Sequence, residues 1–261
     1  MGDNELFADI IGKLDQDDWG AVDATAAPVQ ARAWMVRVRK LGPVVDATMF
    51  ESGFPAGPHA PERAGGTGSV DLATGGVAIG RGDSLSSRAL GNALPDARDG
   101  RRPDVPTPGA AYAQTGAATL EVAIPYAADS ADGTQPSKVC VHLAALTASA
   151  LSQPGKAIQF SGTAGGHLSI MGAKEIDIPA MWPANFPFRL PADTSKPALA
   201  IGFLNEQITT DSQGQPTRGK NGAYAYDPKA TSGFTNAVRL IVFGDETTEV
   251  TIGHAAVIRA Q

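Results

Sequence analysis

What most constrains this chain is a succession of short runs with a two-residue hydrophobic period, each closed by glycine, proline, asparagine or aspartate. In "VQARAWMVRVRKL" Trp34, Val36 and Val38 alternate with Arg37 and Arg39, the pattern of a strand with one buried face. Similar runs cover residues 44–50, 70–79, 118–125, 138–143, 157–162, 167–171, 175–178, 199–206, 237–243 and 249–259. Valine, isoleucine and threonine are common in them, and turn residues stand between them. No 30-residue unit alternates strand with helix, which argues against a parallel α/β sheet. The pattern predicts a mainly β fold: an antiparallel β-sandwich of jelly-roll type, as one large unit or two similar ones, with long Gly/Pro-rich loops. Apolar residues make up 43% of the chain, enough to fill such a core.

The spacers are unusual. Residues 52–116 carry 20 glycines and prolines in 65 positions, a composition that cannot build its own core. The stretch 86–116 reads as a long loop that must lie against this domain's sheet or against a neighbouring subunit. Residues 205–236 form a second excursion. "LAALTASALS", residues 143–152, reads as a short helix. The resulting division is an N-terminal helix at 1–20, a first β unit at 21–128 and a second at 138–261. The segment "DSADGTQPS" between the units is a linker, or the loop of a long hairpin within one continuous domain.

The N-terminal segment is amphipathic. Asp3 or Asn4 can cap it, and Leu6, Phe7, Ile10, Ile11 and Leu14 share one face. A helix of about 12 residues is marginal alone in water, so that face needs a surface to dock on. These five residues are the candidate subunit contact. Residues 1–18 hold six carboxylates against Lys13 alone, a net −5 of the chain's −6. The body is therefore nearly neutral, which lowers self-repulsion and favours association. A pI near 5.2 argues against binding to nucleic-acid phosphates. The single cysteine, Cys140, leaves no intrachain disulfide and no thiolate-pair zinc site. The opening "MGDNELFADI" has neither a basic nor an apolar signal region, and no run of 18 apolar residues occurs. Both point to synthesis in the cytoplasm without a cleaved signal, with a virion as a possible destination.

One stretch superimposes two motifs. Gly80-Arg81-Gly82-Asp83-Ser84 matches an integrin-adhesion tag, and Gly82-Asp83-Ser84-Leu85 resembles the first block of the GDSL hydrolase family, with Ser84 in the nucleophile position. That resemblance implies a flavodoxin-like α/β domain and a remote reading as an esterase at Ser84. The family's Gly-x-Asn-Asp block is absent, and none of His59, His142, His167 and His254 has an aspartate three residues before it. A serine without a base is not activated. The alternative is a tight turn, with Gly80 and Gly82 at positive φ and Asp83 capping it or the next short helix, "SLSSRAL".

Other chemistry is sparse. The histidines form no metal-binding pattern, with His142 expected on the wet face of a strand and His167 at a loop edge. "DQDDWG", Asp15 to Gly20, lacks the calcium-loop glutamate, since Ala26 occupies that position. No metal or cofactor is expected. Trp182, Phe186, Tyr224 and Tyr226 are candidate surface-contact aromatics. Prolines 179, 183, 187 and 191 exclude a central strand around the first two, so that region reads as an irregular crossover closing the end of a sandwich. Together these features point to a non-enzymatic, homo-oligomeric subunit of a self-assembling particle such as a viral capsid. The alternative is a carbohydrate- or ligand-binding β-sandwich using Trp182 and the tyrosines.

Overall fold

A computed structural model of the chain describes residues 27–41, 44–56, 61–95, 104–126, 137–220, 224–244 and 247–259. Fifteen strands and no helix occur among them. The amphipathic segment bearing Leu6, Phe7, Ile10, Ile11 and Leu14 lies outside the described residues.

The strands form two antiparallel sheets packed face to face. The first, seven-stranded, runs β12 (Phe186–Leu190), β13 (Ala200–Thr210), β14 (Ser232–Val242), β15 (Thr248–Arg259), β1 (Val29–Leu41) and β2 (Val44–Met49), with β3 (Ser52–Phe54) also on β1. The second, eight-stranded, runs β11 (Ala173–Ile178), β10 (Gln159–Ile170), β9 (Lys138–Ser152), β8 (Val105–Pro125), β6 (Val77–Asp83) and β5 (Ser69–Thr74). There β7 (Ser86–Leu94) also pairs with β8, and β4 (Arg63–Gly65) pairs with β7. The architecture is a β-sandwich.

Its connectivity corrects the jelly-roll expectation. Successive strands stay in one sheet, and the chain changes sheet only between β3 and β4 and between β11 and β12. Tight turns such as Gly75-Gly76 and Met171-Gly172 join neighbouring antiparallel strands directly, so the topology is a pair of meanders. Residues 127–136 connect β8 to β9, which pair with each other, and β1 from near one end of the chain pairs with β15 from the other.

Three further expectations are corrected. Residues 143–152 are strand, because β9 is hydrogen-bonded on both sides, to β8 and β10. The predicted loop 86–116 supplies β7 and the first part of β8, paired with each other in the same chain. His167 lies within β10, not at a loop edge, since residues 159–170 run as one strand.

A transverse crease cuts both sheets at mid-length. Along each long strand one residue leaves the ladder, and the core-facing positions jump by three instead of two. On β1 the core takes Ala31 and Ala33, then Val36 and Val38. On β9 it takes Val141 and Leu143, then Leu146 and Ala150; on β15 it takes Val250 and Ile252, then Ala255 and Val257. The pairing register is unchanged across the break between β1 and β15 and between β8 and β9, so no residue is inserted. The crease residues include Asn205, Gly253, Ala145 and Ser84, with φ of 50°, 65°, 51° and 54°. A left-handed residue turns the strand over and exchanges its two faces. The crease divides the core into a large Leu/Ile/Val cluster on one side and a thin alanine-rich cluster on the other.

Candidate functional site

Ser84 sits on the crease. Strands β6 and β7 run in one line along β8, and Ser84-Leu85 is the break between them. Ser84 N donates to Gly68 O at 3.1 Å, and Leu85 is fully buried. A Cβ on Gly82 would lie 2.5 Å from a Leu85 methyl. The motif is thus a crease in a continuing strand that lodges one leucine in the core; the left-handed residue is Ser84, with φ of 54°, and not Gly82, and Ser86–Leu94 continue as strand and not as a short helix. Ser84 Oγ has Asp83 Oδ1 at 3.4 Å.

Polar side chains converge at three other places. The first is a buried row on the face of the first sheet turned away from the second. Glu206, Asn236, His254 and Trp34 stand side by side across β13, β14, β15 and β1, each 2% exposed or less. Asn236 Nδ2 donates to Glu206 Oε2 at 2.6 Å, and His254 Nδ1 lies 2.7 Å from Asn236 Oδ1. An amide oxygen only accepts, so Nδ1 carries the proton. The imidazole stacks on Trp34 at 3.6 Å and 9°. Trp34 Nε1 donates to Thr251 Oγ1 at 3.1 Å. Next to this row, Arg239 reaches Glu206 at 3.6 Å and Glu249 at 2.6 Å. Buried charges that are paired and hydrogen-bonded in this way fix strand register.

The second is a row across the outer face of the second sheet. Asp71, Arg81, Glu121, His142, His167 and Asp177 occupy consecutive pairing positions on six strands. His142 and His167 stack at 4.3 Å and 16°. His142 thus lies on the outer face. Burial lowers its pKa below the ordinary 6.5, Glu121 at 3.9 Å opposes this and His167 adds to it. Ser169 Oγ lies 3.3 Å from His142 Nε2, giving a serine–histidine–carboxylate order. Ser169 is only 1% exposed, however, and the His142–Glu121 separation exceeds a hydrogen bond. The hydroxyl therefore serves the ring and is not presented to solvent. Beside it, burial raises the Cys140 pKa, with Glu121 acting in the same direction, and keeps the thiol protonated.

The third is a small cleft at the lateral gap between the sheets, with a cavity volume of about 30 Å³. Ala164, Ile178, Trp182, Leu204, Ala237 and Val238 line it, with Thr235 and Asn205. Trp182 and Phe186 form a tilted pair at 4.2 Å and 57°. Their segment is held by Asn205 Nδ2, which donates to Trp182 O at 2.9 Å, and by Gln207 N, which donates to Asn185 Oδ1 at 2.7 Å. Trp182 is half-buried, and its Nε1 is buried with no hydrogen-bond partner. Phe186 opens β12, an edge strand, where Pro187 is tolerated.

The chain matches no family model, no curated protein and no solved structure.

The tyrosines lie elsewhere, in the excursion after β13. Tyr224 is anchored: its hydroxyl donates to Gln207 O at 3.0 Å and accepts from Thr209 N at 3.1 Å. Tyr226 is 53% exposed. Of the four aromatics named from sequence, the structure brings Trp182 and Phe186 together at the cleft and leaves Tyr224 and Tyr226 apart from it. Sequence reasoning missed Asn205, Thr235, Ala237 and Ala164. Their signal was a three-residue step in an otherwise two-residue pattern.

Proposed function

We propose that the chain is a non-enzymatic structural subunit that associates with copies of itself into a particle, in the manner of a virion coat protein. The observation that supports this is the outer face of the second sheet around the crease and on its β7 side. Ala144, Ala145, Thr147, Ser149, Ser161 and Thr163 lie there on adjacent strands, exposed or half-exposed, small and uncharged. The Thr147 and Thr163 hydroxyls lie 3.0 Å apart. Charge gathers at the border, at Arg63 and Arg88 with Asp104 on one side and at Arg81, Glu121 and Asp177 on the other. Charged residues are depleted at the centres of protein interfaces, and their rims are polar. Short side chains lose little rotamer entropy on contact, and a face without charge can meet its own copy.

Sedimentation velocity on the full chain tests this. A discrete oligomer is expected, and Thr147→Glu with Thr163→Glu should reduce it to monomer by placing like charges at the contact. A monomer at high concentration in the unmodified protein overturns the reading. A second reading, a carbohydrate- or ligand-binding β-sandwich, draws support from the Trp182 cleft.

A further inference from the structure

We infer that a cavity at the end of the first sheet binds a hydroxylated monoanion of sugar size, such as a sugar acid. This narrows the second reading above, stands apart from the Trp182 cleft and is independent of assembly. The cavity lies between the turn after β13, the segment that leads into β14, and Arg259 at the end of β15. Its volume is about 460 Å³, within the range of small-molecule sites. Three observations narrow the ligand class.

The first is the wall. Only Pro216 and Ala230 among the lining residues lack a polar side-chain group; the others carry hydroxyl, amide or charged groups. An apolar ligand would strip water from those groups and return no hydrogen bond. The second is charge. Arg218, Lys229 and Arg259 line the cavity against Asp211 and Asp227, an excess of 3 − 2 = 1 positive charge. Two of these cations have no counter-charge among the described residues. Lys229 is exposed and its ammonium forms no ion pair. Arg259 is part-buried, and its Nε and Nη2 donate to Ser152 Oγ at 3.3 and 3.2 Å, a hydroxyl and not a carboxylate. Burial pushes the Arg259 pKa below its ordinary value, and no charged neighbour opposes the shift. A part-buried cation without a counter-charge gains from an anion brought into a shielded space. The third is the state of the two carboxylates. Asp211 Oδ1 accepts from Gln213 N at 2.8 Å and from Gln215 N at 2.9 Å, and Asp227 Oδ1 accepts from Lys229 N at 2.8 Å. These bonds hold the two turns and leave Oδ2 of each carboxylate without a partner among the described residues. An ionised carboxylate only accepts, so those oxygens call for donors, which ligand hydroxyls supply. The free cations call for one negative group, and the carboxylates disfavour a second.

Glucuronate is a probe of this class. Methyl β-glucoside keeps the hydroxyls without the charge, and acetate keeps the charge without the hydroxyls. The readout is isothermal titration calorimetry on the full chain at low ionic strength. Glucuronate should bind saturably, with a dissociation constant of about 0.1–1 mM. The glucoside and acetate should each bind about tenfold more weakly or worse, the usual worth of hydrogen bonds to charged groups. Lys229→Glu, at an exposed position, should weaken glucuronate binding by about tenfold or more. Lys196→Glu makes the same change of charge at the opposite end of β13 and should leave binding within about twofold, because distant surface charges are screened. Both variants should melt with the parent, which shows that the fold is intact. Equal weakening by the two variants assigns the effect to net charge and overturns the site. Acetate binding as tightly as glucuronate overturns the hydroxylated class. A saturable response to the glucoside alone overturns the inference and leaves the second reading standing. No saturable response to any of the three overturns both.

Discussion

The crease makes Gly253→Ala a sharp test of how the sandwich is built. Gly253 holds φ of 65° in the middle of β15. An alanine held there costs about 1–2 kcal/mol relative to its preferred conformations. Its Cβ would also sit 3.0 Å from Ala237 Cβ and 3.4 Å from a Leu146 methyl. Carbon atoms pack best at about 3.5–4.0 Å, and overfilling a close-packed core adds roughly 1–3 kcal/mol. A central total of about 3 kcal/mol corresponds to a fall in Tm of roughly 6–12 °C for a chain of this size. Ala145 supplies the opposite sign from the facing sheet. It is exposed, with φ of 51°. Ala145→Gly relieves about 1–2 kcal/mol of left-handed strain and loses about 0.5–1 kcal/mol to glycine's freedom in the unfolded chain. The net change should be neutral to slightly stabilising. Ala144→Gly, one residue away in ordinary strand conformation, should lose about 0.5–1 kcal/mol. Scanning calorimetry on the three variants and the parent reads all of this. A Gly253→Ala protein melting within one degree of the parent, or an Ala145→Gly protein falling as far as Ala144→Gly, would refute the view that left-handed residues hold the crease.

Two further outcomes follow from the sites. Because the native His142 binds protons less readily than an ordinary histidine, the unfolded chain takes up more protons below 6.5, so stability should fall as pH drops through that value and into the native midpoint. His142→Gln should flatten that slope in melts between pH 7.5 and 5, and NMR titration should place the His142 midpoint below 6.5, lower still in Glu121→Gln. At the overlapping motif, Leu85→Ala should lose about 2–5 kcal/mol because Leu85 is fully buried, whereas Ser84→Ala should stay within about 0.5 kcal/mol; equal losses in thermal melts would contradict the structural reading of the motif.

Most of the strands were legible because their period was. The run beginning at Val29 alternates openly, and β1 occupies Val29–Leu41. The misreadings fall where the crease breaks the pattern. In "LAALTASALS" Leu143, Leu146 and Ala150 all face the core, and those steps of three and four are the spacing of a helix face. The αL turn at Ala145 produces that spacing in a strand. The edge strands β3 and β4, and β7 between β4 and β8, lay hidden in a Gly/Pro-rich stretch because tertiary pairing, not composition, decides their state. Edge positions also tolerate what central strands do not, as Pro187 in β12 shows. Topology was the least legible feature. A list of strands says nothing of which sheet each joins, and short runs separated by turns fit a meander as well as a jelly roll.

The cleft and the crease share one physical origin. Of the residues that leave the ladder at the crease, Ala118, Ala145, Ala164, Ala237 and Gly253 are small, while Met35 on β1 is large and fully buried and Asn205 on β13 carries a polar side chain. Near the middle of the sandwich Leu146 projects from the second sheet and fills the space above Gly253. Toward the β10–β13 side Ala164 and Ala237, with Leu204, border a small cleft instead. Trp182 comes from the connection between the sheets and covers this gap only in part, remaining half-buried with its N–H unmet. The void is therefore a consequence of how the strands change face. Ala164→Leu should accordingly raise Tm in scanning calorimetry, by the rule that filling an apolar cavity returns about 20–30 cal/mol per Å² of surface removed from water. A fall in Tm would show instead that the crease needs a small residue at this position.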